Sequence, residues 1–202
     1  MGLLTGSGSL TRYKVDGKID GNVIETVRKG LSRHVIQDID GEPKEKSVGW
    51  TSFHTPYSPD FGGSRFLVGS YLVFGLRIDK KTIPAKLVKK RLEFLSAKRL
   101  AETGRRFLTR DEKSMIREQV LHSLSVKIPA TPNCYDVVWE HEKEMVHFFS
   151  TMKTANEELE TLFKTTFRRS LIRLFPFTAA ELTAGLSDTQ KDRLHELTPK
   201  PL

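Results

Sequence analysis

The hydrophobic periodicity of this chain changes twice, and those two changes constrain its fold more than any other feature. Between Phe66 and Ile78 the apolar residues Leu67, Val68, Tyr71, Leu72, Val73, Phe74, Leu76 and Ile78 crowd together as they do in β-strands. Pro84 then suits the first turn of a helix, and Val88, Leu92 and Leu95 follow at helical spacing. Gly104 interrupts the run. Thr109 with Glu112 matches a capping box that opens a second helix, whose apolar stripe is Ile116, Val120 and Leu124. Pro129 and Pro132 close the helical segment, and the strand period returns at Tyr135–Trp139 and Met145–Phe149. A helical pair set between strand-rich stretches is an α+β pattern.

The flanks fill in the organisation. Residues 9–15 read as a strand, Asp16-Gly17 as a turn, and Asn22 as the cap of a helix running to His34, with Val23, Val27 and Leu31 on one face. Asp38–Lys46 is a polar loop, Val48–Phe53 is β-like, and Thr55–Ser64 is a Pro- and Gly-rich loop. Phe66–Ile78 is two strands or one long bent one. Glu140–Glu144 forms the charged tip of a hairpin. Thr154 opens a helix that turns Leu159, Leu162, Phe163 and Phe167 towards a core; Leu171–Phe175 is a strand ended by Pro176. Short tail helices are expected near Ala179–Ala184 and Asp188–Leu197, before Pro199 and Pro201. Trp50 and Trp139, in predicted strands, are expected in the core. The order is βαββ, then the helical pair, then ββαβ: two β-sheet-containing halves flanking a protruding basic helical pair. The pattern is compatible with one shared sheet or with two. It predicts a central α+β domain of residues 1–79 and 130–178, a helical tip insert of residues 80–129, and a tail of residues 179–202.

Charge is concentrated in the insert. Lys80–Lys127 holds fourteen Lys or Arg against five Asp or Glu, a net of +9, whereas the whole chain is +8. The remainder is therefore about −1, so the basic character belongs to the helical pair. Lys86, Lys89 and Lys90, with Glu93, fall on the side away from Val88, Leu92 and Leu95. Arg105 and Arg106 sit beside Gly104, where guanidinium groups can reach phosphates in bidentate fashion. With Arg91, Lys98, Arg99, Arg110, Lys113 and Arg117, these cations make the candidate DNA-binding set. A row of them matches the charge density of a duplex backbone, one charge per ~1.7 Å of axis. A solvated helix face and a surface for an acidic protein partner are the other readings of the same pattern. The apolar stripes lack the Trp/Phe/Leu face of a membrane-surface helix. No zinc-finger spacing, RNA-recognition aromatic motif or heptad-plus-basic region specifies a base sequence, which leaves phosphate binding without sequence preference.

Candidates for catalysis are weaker. His141-Glu142 with His147 has the wrong spacing for HExxH and lies across the predicted hairpin. Asp38, Asp40 and Glu42 share one loop and could hold a divalent ion for a nuclease, but no nearby motif positions a scissile phosphate. Gly62-Gly63-Ser64 is neither a nucleophile elbow nor a phosphate loop. The single cysteine, Cys134, permits no internal disulfide or CxxC knuckle, in keeping with a reducing cytoplasm. No apolar run reaches transmembrane length, and the start lacks the basic and apolar regions of a signal peptide. The expectation is a cytoplasmic, non-enzymatic protein with no cofactor, no metal and no membrane partner.

The ordered series Gly49-Trp50, Ser70–Ile78, Ile83-Pro84, the Lys/Arg-rich pair, Glu118-Gln119-Val120-Leu121-His122-Ser123-Leu124 and Asp136-Val137-Val138-Trp139 resembles the RdgC family of recombination-associated proteins over roughly residues 5–177. The resemblance implies a DNA-binding protein without sequence preference, located on the nucleoid, forming a ring-shaped homodimer that encircles duplex DNA and restrains RecA-driven recombination. Some members carry an exonuclease label. This chain looks like a short member that lacks the C-terminal region, which supplies one of the two dimer contacts in longer ones. It also reads Ser125-Val126-Lys127-Ile128-Pro129 where those have a Pro-Arg-aromatic stretch.

Overall fold

Alternation puts Tyr13 and Val15 on the buried side of a short strand, β1 (Thr11–Val15), which takes partners along both edges. The computed structural model describes residues 2–4, 8–19, 21–63, 65–183 and 185–196; Ser64, the expected helix ends at Ala184 and Leu197, and Pro199 and Pro201 lie outside them. The chain divides into two compact units. The first comprises Met1–Val35, Trp50–Leu76 and Tyr135–Leu202, the second Ile36–Gly49 and Arg77–Cys134.

In the first unit β1 pairs antiparallel with β6 (Met145–Phe148), Tyr13 opposite Val146, and with β7 (Leu171–Arg173), Tyr13 opposite Arg173. β6 also pairs with β5 (Thr131–Glu140), Trp139 opposite Val146. Together with β2 (Lys46–Thr51), β3 (Leu67–Val68) and β4 (Tyr71–Lys80) these strands make one seven-stranded sheet, ordered β2-β4-β5-β6-β1-β7, with β3 paired to β4. The fold is α+β as predicted, and the two β-containing halves share one sheet. The Phe66–Ile78 run is two strands because Gly69, at φ 62°, reverses the chain between them.

Several strand ends shift by a few residues, and two prolines sit differently from the sequence reading. Pro132 lies inside β5 instead of closing the segment before it. β6 pairs only with Val137–Glu140, so the N–H that Pro132 lacks is not needed in that ladder. Likewise β7 stops at Arg173, and Pro176 is the first residue of α5 (Pro176–Thr183), the one helical position that tolerates proline. A last helix, α6, spans Asp188–Glu196.

The core of the first unit is aromatic. Asn22 caps α1 (Val23–Arg33) by accepting the Glu25 N–H at 3.0 Å, and Val27 and Leu31 are buried. α4 (Lys153–Phe167) buries Leu159, Phe163 and Phe167. α1 comes so close to α4 that a Cβ on Gly30 would fall 2.9 Å from Phe167 and Thr166 atoms, which explains a glycine in mid-helix. Trp50 is 0% exposed, stacks edge-on against Phe74 at 5.1 Å, and donates its Nε1–H to Thr166 Oγ1 at 2.8 Å. Trp139 packs against Phe163 and Phe167 with centroids 4.9 and 5.2 Å away. Both tryptophans are core residues, as expected. Tyr13 donates its hydroxyl proton to Asn156 Oδ1, and Arg173 bridges to Glu160 at 2.8 Å, which ties β1 and β7 to α4. Burial, above all, pushes the Tyr13 phenol far above its ordinary value. Among the described residues no helix is long and apolar enough to cross a membrane.

His147 on β6 gives the first unit an acid-sensitive point. Burial lowers its pKa below 6.5, with Arg12 and Lys143 adding to the effect and Glu140 opposing it. A neutral folded-state histidine binds fewer protons than its unfolded counterpart once pH falls below that value, so stability is lost on acidification through about pH 6.5. The midpoint of thermal unfolding is therefore expected to fall between about pH 7.5 and 5.5 by more in the wild type than in His147→Gln. Equal falls would remove His147 as the cause.

Candidate nucleic-acid interface

The second unit holds the basic segment. Pro84 sets the start of α2 (Ala85–Thr103): its φ is −63°, and its carbonyl accepts the N–H groups of Leu87 and Val88 at 2.9 and 3.2 Å. Gly104 stops the helix in the left-handed region, φ 65°. α3 (Arg110–Lys127) starts with the predicted capping box: the Glu112 N–H donates to Thr109 Oγ1 at 3.2 Å, and the Glu112 carboxylate accepts the Thr109 N–H at 2.9 Å. Such a cap contributes about 1 kcal/mol. Glu112 also accepts from Arg105 at 2.9 Å and lies 3.7 Å from Arg99 Nε. The Thr109 backbone N–H first, then its hydroxyl and the two guanidinium groups, hold the Glu112 carboxyl below the usual carboxylate range. One acid thus gathers the end of α2, the connecting segment and the start of α3.

The two helices meet along a narrow seam. α3 buries Val120, Leu124 and Ser125, whereas no residue of α2 is buried; Val88, Leu92 and Leu95 are half-covered. A groove of about 350 Å³ runs beside the seam, lined by Leu95, Lys98, Arg99, Glu102, Glu112, Met115, Ile116 and Gln119. A neighbouring hollow of about 210 Å³ includes Arg91, Ser123 and Lys127.

All eleven candidate cations are exposed: Lys86, Lys89, Lys90, Arg91, Lys98 and Arg99 on α2, Arg105 and Arg106 between the helices, and Arg110, Lys113 and Arg117 on α3. They do not form a single stripe. At about 100° per residue, Lys86 and Lys90 sit well around α2 from Arg91 and Lys98, which line the groove side. Lys89–Glu93 at 3.9 Å, Lys98–Glu102 at 4.0 Å and Arg99–Glu102 at 3.9 Å are exposed pairs of small energetic weight, so these cations remain available to an incoming anion. Among the described residues no salt bridge engages Lys86, Lys90, Arg91, Arg106, Arg110, Lys113 or Arg117.

Lys81, counted within the basic segment, is not part of this surface. It is 5% exposed, and its ammonium donates to the carbonyls of Glu42 and Ser125, both at 2.7 Å. Exposed apolar side chains went unrecognised in the sequence: Phe94, Phe107 and Met115 stand among the cations, Phe107 at 82% exposure. Their signal was a position off the apolar stripes.

The acidic loop has a structural use. Asp38 Oδ1 accepts the Asp40 N–H at 2.8 Å, and Asp40 Oδ1 accepts the Ala130 N–H at 2.7 Å. His141 lies in the hairpin turn and His147 within β6. Among the described residues no three or more His, Cys, Asp or Glu side chains are grouped to hold a metal ion.

The family model described as "Putative exonuclease, RdgC" matches residues 9–188, a span that takes in the second unit and most of the first. No curated protein matches the chain.

Proposed function

The chain belongs to the RdgC family, and from that premise we propose that it binds duplex DNA without sequence preference and modulates recombination by coating or encircling it. The observation that carries this reading is the exposure of eleven cations on a helical pair of net +9, in a chain whose remainder is nearly neutral. Phosphate contacts from Lys and Arg position a protein on DNA and carry no base information. The cations of α2 are spread around that helix instead of lining one face, which suits a backbone approached from several angles. The helical tip of residues 80–129 is the binding element, and the central domain of residues 1–79 and 130–178 is its scaffold. The salt dependence of duplex affinity is the direct test.

A homodimer, antagonism of RecA-driven recombination and location on the nucleoid belong to the same reading. The family resemblance is what supports the homodimer. The mass in solution is expected to be that of a dimer, and the dimer is expected to persist on duplex DNA. A monomer in both conditions would remove ring closure from the proposal while leaving phosphate binding intact.

The description of the family model favours one further reading, an exonuclease, which with the acidic loop as its centre would depend on a divalent metal. On the leading reading end-labelled DNA stays intact with Mg²⁺ or Mn²⁺. Digestion that needs the metal and is lost in Asp38→Asn/Asp40→Asn would establish the exonuclease instead.

A further inference from the structure

We propose that the second unit also holds single-stranded DNA, with unpaired bases stacked on Phe94 and Phe107 and the strand's phosphates on the cations beside them. This preference rests on phosphate binding by α2 and α3 and adds to it a demand for bases that are free. Both rings stand out from the protein, Phe94 at 62% exposure and Phe107 at 82%. Among the described residues neither ring stacks on another aromatic ring or under a cation. An exposed phenylalanine forgoes the gain of burial, and single ones are ordinary. What sets these two apart is their neighbours.

On α2 the residues one turn away from Phe94 are Lys90 and Arg91 before it and Ala97 and Lys98 after it. Three of these four are exposed cations, with Cβ atoms about 5–6 Å from that of Phe94. Phe107 follows Arg105 and Arg106 directly and precedes Arg110 by three positions. A ring among cations is the arrangement with which proteins hold a single strand: a base stacks on the ring, and the phosphates to either side meet the charges. In a closed duplex each base face is covered by the next base pair, so the rings count where the bases are unpaired. Every base has a face to stack, so the contact keeps binding free of sequence preference. Charge selects this occupant over the others that an exposed ring can meet. A second copy would bring one segment of net +9 against another. A lipid surface needs a continuous apolar face, and cations interrupt the surface around Phe94 one turn away on both sides.

Fluorescence anisotropy of the full chain, at one salt concentration, compares a labelled single strand, an abasic strand of the same length and the matching duplex. The base-bearing strand is expected to bind roughly ten-fold or more tightly than the abasic one, although both carry the same phosphates. Phe94→Ala and Phe107→Ala should each weaken strand binding roughly ten-fold, the loss of one stacked base, and leave duplex affinity and its salt slope unchanged. Phe107→Leu should lose as much as Phe107→Ala, because an aliphatic side chain offers no π-face, whereas Phe107→Trp should retain binding. The indole that Phe107→Trp introduces gives a direct readout: the base-bearing strand should quench its emission and the abasic strand should not, against a constant background from buried Trp50 and Trp139. Met115→Ala, at an exposed apolar residue without a ring, should leave strand binding as it is. Equal affinity for the two strands, ring variants that bind like the wild type, or an equal loss in Met115→Ala overturns the proposal. So does a loss of self-association, or of binding to anionic phospholipid vesicles, in ring variants whose strand affinity is intact. Salt-dependent duplex binding that survives such a result leaves phosphate binding by α2 and α3 standing; if neither duplex nor strand is bound, both readings fall.

Discussion

Duplex affinity is expected to fall about a thousand-fold between roughly 50 and 200 mM salt, with a log–log slope near −5. The estimate follows from geometry. Eleven cations are exposed, but those of α2 are spread around that helix, so one duplex cannot meet them all. About six neutralised phosphates at roughly −0.9 per contact give that slope. Replacing Lys86, Lys89, Lys90, Arg105 and Arg106 with Gln should make the slope shallower by roughly three to four. Arg105 contributes least, because it is already committed to Glu112 at 2.9 Å. All duplex sequences should weaken alike, since none of these residues needs to read a base edge. A flat salt response, or a loss confined to one sequence, would sink phosphate binding by the helical pair. Weak duplex binding at physiological salt together with recovery of an acidic protein partner would favour an interaction module instead.

The elements were legible where local rules decide them, and the tertiary uses of single residues were not. Asn22, Thr109 with Glu112, Pro84 and Gly104 announced the helix ends because each cap is a contact between residues three or four apart, or a backbone angle. Trp50 and Trp139 were legible as core through their strand setting. Pro132 was misread because β5 runs on past the end of its ladder with β6, and pairing is a long-range fact. The shared sheet was likewise beyond reach, since no periodicity says which strands become neighbours. The candidate cations are exposed as a polar helix face should be, but which of them share a side of the pair depends on how α2 meets α3. Asp40 illustrates the same limit: an acidic loop looks like a metal site until the Ala130 N–H, 90 positions away, is found on its carboxylate.

Lys81→Met is expected to destabilise the chain by about 2–4 kcal/mol. Lys81 is the one cation of the basic segment that the structure buries, and its ammonium is held by two main-chain carbonyls, Glu42 O and Ser125 O. The Ser125 carbonyl belongs to the last turn of α3, where the helix itself leaves carbonyls unmatched; the preceding one, Leu124 O, is taken by the Ile128 N–H at 2.9 Å. A positive charge there also complements the helix dipole. Methionine keeps the length of the side chain and removes the cost of burying a charge, which offsets part of the loss. It leaves two carbonyls with no donor, at about 1–3 kcal/mol each. Chemical denaturation should show the change, and hydrogen exchange should quicken first in the last turn of α3. The DNA readout separates this role from phosphate binding. A phosphate-binding lysine would leave stability near wild type and reduce the salt slope by about 0.9. A structural lysine should reduce stability and, in protein that remains folded, leave the slope unchanged, because the eleven exposed cations are all still present. Wild-type stability combined with a shallower slope would move Lys81 from the frame of the second unit to its surface.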